Sequence, residues 1–405
     1  MTDLRRYIKD EGAMTEALYL LAFSCYVIFF YLQTTTFAMR VPGVIYSIVR
    51  GALFFCGLYR LYLYRKDYSL LEVTALASFM GLGLFYLIAG GDTLVLDASL
   101  ITVGACRVSL RKIGIIYIYI GVLISILALI CSQTGVIPDY VFQTNYGEND
   151  HLRHSFGIIY PTDCFAHVFY LVITYLIVRW KRITYIELSL TAILLAVAFY
   201  FTHARVDMAG AVLMLIIVLI LKTRGFKPLN ISDRITKPVV SLMMPLFAVF
   251  ITVVTYFYDP ENSLMYVLDS KLSYRLSLGK TGMSLYGFKL MGNSSFAENG
   301  NANGGIRNYS YVFYDSAYIK YLFKYGVVLL LVLFVIYALI GIRLIRERML
   351  YGMVFISILA LSFIIEHHML ELSYNITLVL LTADISTILQ TEPLINKYSK
   401  NGIIT

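Results

Sequence analysis

The chain has 405 residues, of which 59% are hydrophobic and 14% charged, with a mean hydropathy of +0.74. That balance excludes an ordinary water-soluble domain and points to an all-α, polytopic integral membrane protein forming a single domain. The formal net charge of +8 belongs largely to loops suited to anionic lipid and is no argument for a nucleic-acid partner.

Apolar runs at about 16–33, 44–63, 69–89, 113–133, 163–179, 184–201, 238–257, 323–342, 350–365 and 373–389 approach the ~20 residues that a spanning helix needs. Shorter runs at about 93–106 and 208–221 bring the expected count to twelve, although 93–106 holds Asp97 and could pair with 69–89 as a re-entrant hairpin. The first run follows Arg5, Arg6 and Lys9 and continues through bulky Tyr and Phe without a cleavage site, so it is expected to be retained. Cys25, Cys56, Cys106, Cys131 and Cys164 are odd in number and lie in or beside these runs, which argues against a disulfide framework.

With the N-terminus inside, alternate loops collect Arg60, Arg65 and Lys66; Arg107, Arg111 and Lys112; Arg179, Lys181 and Arg182; Lys222, Arg224, Lys227, Arg234 and Lys237; Arg343, Arg346 and Arg348; then Lys397 and Lys400. The positive-inside bias therefore predicts cytoplasmic termini. The same arrangement sends His151, His154, His167, His203, His367 and His368 to the outer face. Two external segments remain, at about 134–162 and 258–322. The second is long enough to suggest function. Its stretch AENGNANGGIRNYS (297–310) predicts a flexible flap, and the residues before it predict short interfacial helices. No internal repeat relates the halves, which weighs against repeat-built transporters.

Arginine at membrane depth is costly and normally faces a cavity or a partner. Arg153 stands between His151 and His154 in HLRHSFGIIYPTD, Arg205 between His203 and Asp207, and Arg275 beside Tyr274 in SYRLSLGK. Each could be a solvated loop cation or half of an ion pair, as Arg205 and Asp207 could be. Together on one outer cavity they would suit a diphosphate, because the guanidinium fork matches phosphate oxygens. Acid or base candidates on the same face are Asp315 and the tract IIEHHMLELSYN, with Glu366, His367, His368 and Glu371. LGKT (278–281) lacks the upstream glycine of a phosphate-binding loop. No HExxH, CxxC or EF-hand pattern occurs, so neither metal nor cofactor is expected. Without Asp-x-Asp, a sugar transferase would use a donor other than a nucleotide-sugar.

LRHSFGIIYPTD, FTHARVDMAGAVLMLII, YRLSLGKTGMSLYGFKLMG and YDSAYIKYLFKYGVV occur in this order. With the apolar runs and the long external segment before the last three of them, they resemble the Wzy-type polysaccharide polymerases, relatives of the O-antigen ligases. Where ligases carry a histidine in the last stretch this chain has Asp315, which favours the polymerases and leaves the base open. The resemblance implies a metal-independent glycosyltransferase on the outer face of a bacterial cytoplasmic membrane. It would pass a growing capsule, exopolysaccharide or O-antigen glycan from undecaprenyl diphosphate to a hydroxyl of an incoming lipid-linked repeat unit. Arg153, Arg205 and Arg275, with His154, His203, Tyr274 and Tyr318, would bind diphosphate and sugar, helped by aromatic surfaces such as Tyr286 and Tyr311. Asp315 would be the first choice of base and the Glu366, His367 and His368 cluster the second. Membrane lipids, a chain-length regulator and the flippase of the same pathway would be its partners. A ligase-like transferase and a lipid-linked oligosaccharide flippase or transporter are the alternatives. A transporter of the major facilitator type is expected to carry a Gly- and Arg-rich inner loop where this chain has YRLYLYRKDYS.

Overall fold

The computed structural model describes residues 2–37, 42–146, 149–226, 233–298, 312–347 and 349–389. Among the described residues nine helices are long and apolar enough to cross a membrane, and the chain is helix-rich and multi-pass. In order these and the shorter elements are α1 (Thr2–Gln33), α2 (Gly43–Leu63), α3 (Leu70–Gly90), α4 (Leu94–Gly104), α5 (Leu110–Gln133), β1 (Val141–Tyr146), β2 (Asn149–His154), α6 (Pro161–Arg179), α7 (Tyr185–Thr202), α8 (Arg205–Thr223) and α9 (Asp233–Tyr256). There follow α10 (Ser263–Lys271), α11 (Arg275–Tyr286), α12 (Ala317–Lys324), α13 (Gly326–Arg346), α14 (Leu350–Ser362) and α15 (Ser386–Leu389). The hairpin β1–β2 is antiparallel, with Val141 opposite His154.

Short connections turn each long helix back on its predecessor. Capping boxes start two of them cleanly, Ser69 with Glu72 for α3 and Thr184 with Glu187 for α7. The C-terminal ends of α1, α5, α7 and α9 therefore share one end of the bundle with the first turns of α6 and α8. Arg60, Arg107, Arg179, Lys222 and Arg343 gather at the other.

The 93–106 run forms α4, only 11 residues long, or about 16 Å at the helical rise. Val95 to Gly104 are all buried. Asp97 is tolerated there because Arg50 of α2 grips it with two bonds, Nε to Oδ1 at 2.6 Å and Nη2 to Oδ2 at 3.0 Å.

The last expected span, 373–389, is not a helix. Beyond α14 the chain runs non-helically apart from a short 3₁₀ turn at Thr377–Leu381 and α15. It starts at the cleft end, where Phe363 and Glu366 carbonyls accept from the amide of Ala317, and reaches the basic end, where Asp384 pairs with Val108 and Leu110. Irregular backbone at membrane depth survives only when enclosed by protein, and Leu370, Leu378, Val379 and Leu381 are fully buried. Its polar groups are met one by one. Tyr321 Oη donates to the carbonyl of His367 and accepts from the amide of Leu370. Tyr117 Oη donates to Ser373 and Tyr374, and the Arg343 guanidinium donates to the carbonyls of Leu380, Leu381 and Ala383. Hydropathy sees only the burial of this stretch, whereas its conformation is set by these distant donors.

Candidate functional site

Arg275 is delivered by a sharp turn. Ser273 and Tyr274 both adopt left-handed backbone, φ 58° and 64°, and buried Asp269 accepts from the amides of Leu276 and Ser277, starting α11 at once. Helix α11 then lies close against its neighbours because Gly279 faces Thr255 of α9, where a Cβ would stand 2.7 Å from Thr255 Cγ2. Gly292 and Gly326, with φ of 79° and 84°, dock residues 289–292, the end of the YRLSLGKTGMSLYGFKLMG motif, onto the α12–α13 junction, where Val327 and Val328 donate to the carbonyls of Lys289 and Leu290. The glycines of the external motif thus serve close backbone approach.

Arg275 Nε lies 2.8 Å from Asp315 Oδ2. The pair stands where cavities meet. One, lined by Tyr160, Asp163, Phe313, Glu366 and His367, leads into a chamber of about 310 Å³ with Tyr26, Phe30, Gln33, Thr34 and Tyr374 among its walls. On the other side of Arg275 lies a more apolar pocket between α9, α11 and α12, lined by Ile251, Thr255, Ile319 and Ile364.

The floor is rich in carboxylates. Buried Glu366 stands beside the carboxyl of Asp207, in the first turn of α8. Burial, then the Asp207 charge, pushes the Glu366 carboxyl well above its usual range. Buried Lys320 bonds Glu298 at 2.8 Å and lies 4.6 Å over the Phe313 ring.

His368 is the most constrained member. Its Nδ1–H donates to Glu371 Oε2 at 2.8 Å. Its Nε2, fully buried, has no hydrogen-bond partner and faces Glu366 Oε2 at 3.5 Å and Asp163 Oδ1 at 3.8 Å. Burial alone would lower this imidazole, but the Glu371 carboxylate outweighs it and holds it above its ordinary value. Burial would raise Glu371, and His368 overrides that to hold it low. His367, whose Nε2 lies 3.8 Å from Glu371 Oε1, is lowered by burial, then by the His368 charge. The His368 ring ends a stack whose successive centroids are 3.7 Å to Tyr374, 3.9 Å on to His167 and 4.0 Å on to Tyr31. This stack ties the 366–374 segment to α6 and α1.

The structure therefore brings together Arg275, Asp315, Glu366, His367 and His368. It adds Asp163, Asp207 and Lys320, which sequence reasoning did not select, and gives Glu371 the role of orienting His368. The available signal was a carboxylate in the first turn of an otherwise apolar helix, at Asp163 and at Asp207.

Other expected residues lie elsewhere. Arg153 lines none of these three cavities; its Nε donates to the Thr202 carbonyl at 2.6 Å, at the C-terminal end of α7, where unpaired carbonyls attract cations. Arg205 starts α8 with an exposed side chain, two residues before Asp207. His154 Nδ1 bonds Asp139 Oδ2 at 2.7 Å, and Asp139 Oδ1 accepts from the amides of Ser155 and Phe156, so this histidine secures the base of the hairpin. His203 is the left-handed C-cap of α7, edge-on to Phe199. Tyr274 is exposed. Tyr318 is fully buried, and its hydroxyl donates to the Ala360 carbonyl at 2.8 Å. Tyr286 packs against Phe296 and Tyr314. The flap expected over 297–310 falls, from residue 299 on, outside the described residues, as do Tyr311, Lys227, Arg348, Lys397, Lys400 and the side chains of Arg5, Arg6, Lys9 and His151.

No protein family matches the sequence, and no curated protein or solved structure does.

Proposed function

We propose that the chain is a Wzy-type polysaccharide polymerase. It transfers a growing glycan from undecaprenyl diphosphate to a hydroxyl of an incoming lipid-linked repeat unit. In this reading both termini are cytoplasmic and the cleft faces outward from a bacterial plasma membrane. The concentration of basic residues at the opposite end of the bundle supports that orientation.

The observation that carries the reading is the position of Arg275, in a polar cleft that leads to an aromatic chamber on one side and borders a small apolar recess of about 20 Å³ on the other. A lipid-linked saccharide needs that combination. The isoprenoid lies along apolar side chains, the sugar rings lie on aromatic faces, and the diphosphate between them meets a fixed guanidinium. In the transfer, the acceptor oxygen bonds to the anomeric carbon while the bond from that carbon to the phosphate oxygen breaks. The bonding pair leaves with undecaprenyl diphosphate. The acceptor proton passes to a carboxylate, and Asp315 stands in the same cleft, 2.8 Å from Arg275. The test is reconstitution: purified protein in liposomes should convert undecaprenyl-diphosphate-linked repeat units into longer lipid-linked glycans. Unchanged starting material, with substrate accessible on the cleft side, would overturn the proposal.

A further inference from the structure

We propose that Glu366, His367 and His368, with Asp163 alongside, form a binding site for one divalent transition-metal ion of the zinc class. Ligand atoms of Glu366, His367 and His368 lie within 4.8 Å of one another, and all three residues are buried. Ligands about 2.0–2.2 Å from a tetrahedral zinc stand roughly 3.4 Å apart. The separations at His368 Nε2, 3.5 Å to Glu366 Oε2 and 3.8 Å to Asp163 Oδ1, are close to that.

Two independent features point to a cation at this spot. The first is the presentation of His368. A metal-bound histidine characteristically donates its other ring N–H to a carboxylate, which fixes tautomer and ring plane. His368 Nδ1 does so to Glu371 at 2.8 Å, while Nε2 is left buried and without a partner, aimed between two carboxylates. Tyr374, stacked 3.7 Å away, holds the ring in that plane. The second is charge. Asp163, Asp207, Asp315, Glu366 and Glu371 surround the cleft; among the described residues Arg275, Lys320 and Lys324 act on them, and Lys320 and Lys324 also serve Glu298 and Asp92. Buried carboxylates in excess must be neutralised by protons or by a cation.

Two imidazoles with carboxylates select Zn²⁺ or Mn²⁺ over Ca²⁺ and Mg²⁺, which prefer all-oxygen shells. The sequence alone gave no such indication, because three adjacent residues match no metal-ligand spacing and only the irregular backbone here turns their ligand atoms toward one another.

The inference does not rest on the glycosyltransferase reading, and its test reads metal directly. Detergent-purified full-length protein is stripped with EDTA, exchanged into Zn²⁺ or Mn²⁺, desalted and measured by elemental mass spectrometry. One equivalent per chain is expected in the wild type and none in His368→Gln. Because His368→Gln removes a buried stacked ring and could unfold, Glu371→Gln is measured beside it. That variant keeps the ring and should bind 10–100-fold more weakly in competition with a chromophoric chelator. Wild-type protein that retains no ion, or a Glu371→Gln variant with unaltered affinity, would overturn the site. A chain that holds metal but lengthens no saccharide would keep the site and refute the enzymatic proposal; an active, metal-free chain would do the reverse.

Discussion

Arg343 supports a stretch of backbone that has no helix to satisfy it, so its removal should be felt throughout the cleft. Its Nη1 donates to the Leu380 carbonyl at 2.9 Å and to that of Leu381, and its Nη2 to Ala383 at 2.7 Å. In Arg343→Met the aliphatic volume is roughly kept while three buried carbonyls lose their donors. At about 1–3 kcal/mol for each unsatisfied group, the loss is about 3–9 kcal/mol, comparable with the whole stability of many folded domains. Arg343→Lys restores one or two of the bonds and should fall between. The assay is thermal unfolding of the detergent-solubilised protein, followed by tryptophan-independent dye binding and by monodispersity on gel filtration. A marked drop for Met with a smaller one for Lys is expected. A Met variant that melts with the wild type would show that the crossing at 377–385 does not depend on this guanidinium, and the account of its irregular backbone would fail.

Other expectations follow from single contacts. Asp97→Asn leaves Arg50 without its buried counter-charge and should cost about 3–5 kcal/mol, measured by the same unfolding assay. Gly326→Ala places a Cβ against the backbone of Gly292 at a left-handed position, so beyond the ~1–2 kcal/mol of strain the docking of 289–293 is lost and expression should collapse. Tyr318→Phe should cost about 1 kcal/mol, the worth of one hydrogen bond, and leave polymer length unchanged; shortened polymer would return Tyr318 to the substrate. Arg275→Lys keeps the charge but not the fork, and polymerising activity should fall by roughly 10²-fold or more, as when one preorganised donor is lost from a reactive centre.

Much of this molecule is legible in its apolar runs. The long helices α1 to α3, α5 to α9 and α13 lie where hydropathy puts them, and basic residues mark one end of the bundle. Hydropathy reads composition, however, and composition is the same whether an apolar stretch is helical or is irregular and enclosed. For that reason 373–389 misleads, and helix α12, which carries Tyr318, is buried on all sides. At the candidate site, local motifs located Arg275, Asp315 and the 366–368 cluster. They did not show that Arg153 turns to the end of α7, because its partner is a main-chain carbonyl 49 positions away. Asp163 and Asp207 were hidden for a related reason. A carboxylate in the first turn of a helix is common as favourable dipole chemistry, and only packing shows that these two point into a shared interior.

The proposed activity is tested most directly by the repeat-unit ladder on a gel from cells carrying Arg275→Ala or Asp315→Ala. Polymer should disappear while single repeat units still arrive on the outer surface, which places the defect after translocation. Wild-type ladders from both variants, at wild-type protein levels, would contradict the assignment of this cleft as the site of glycan transfer.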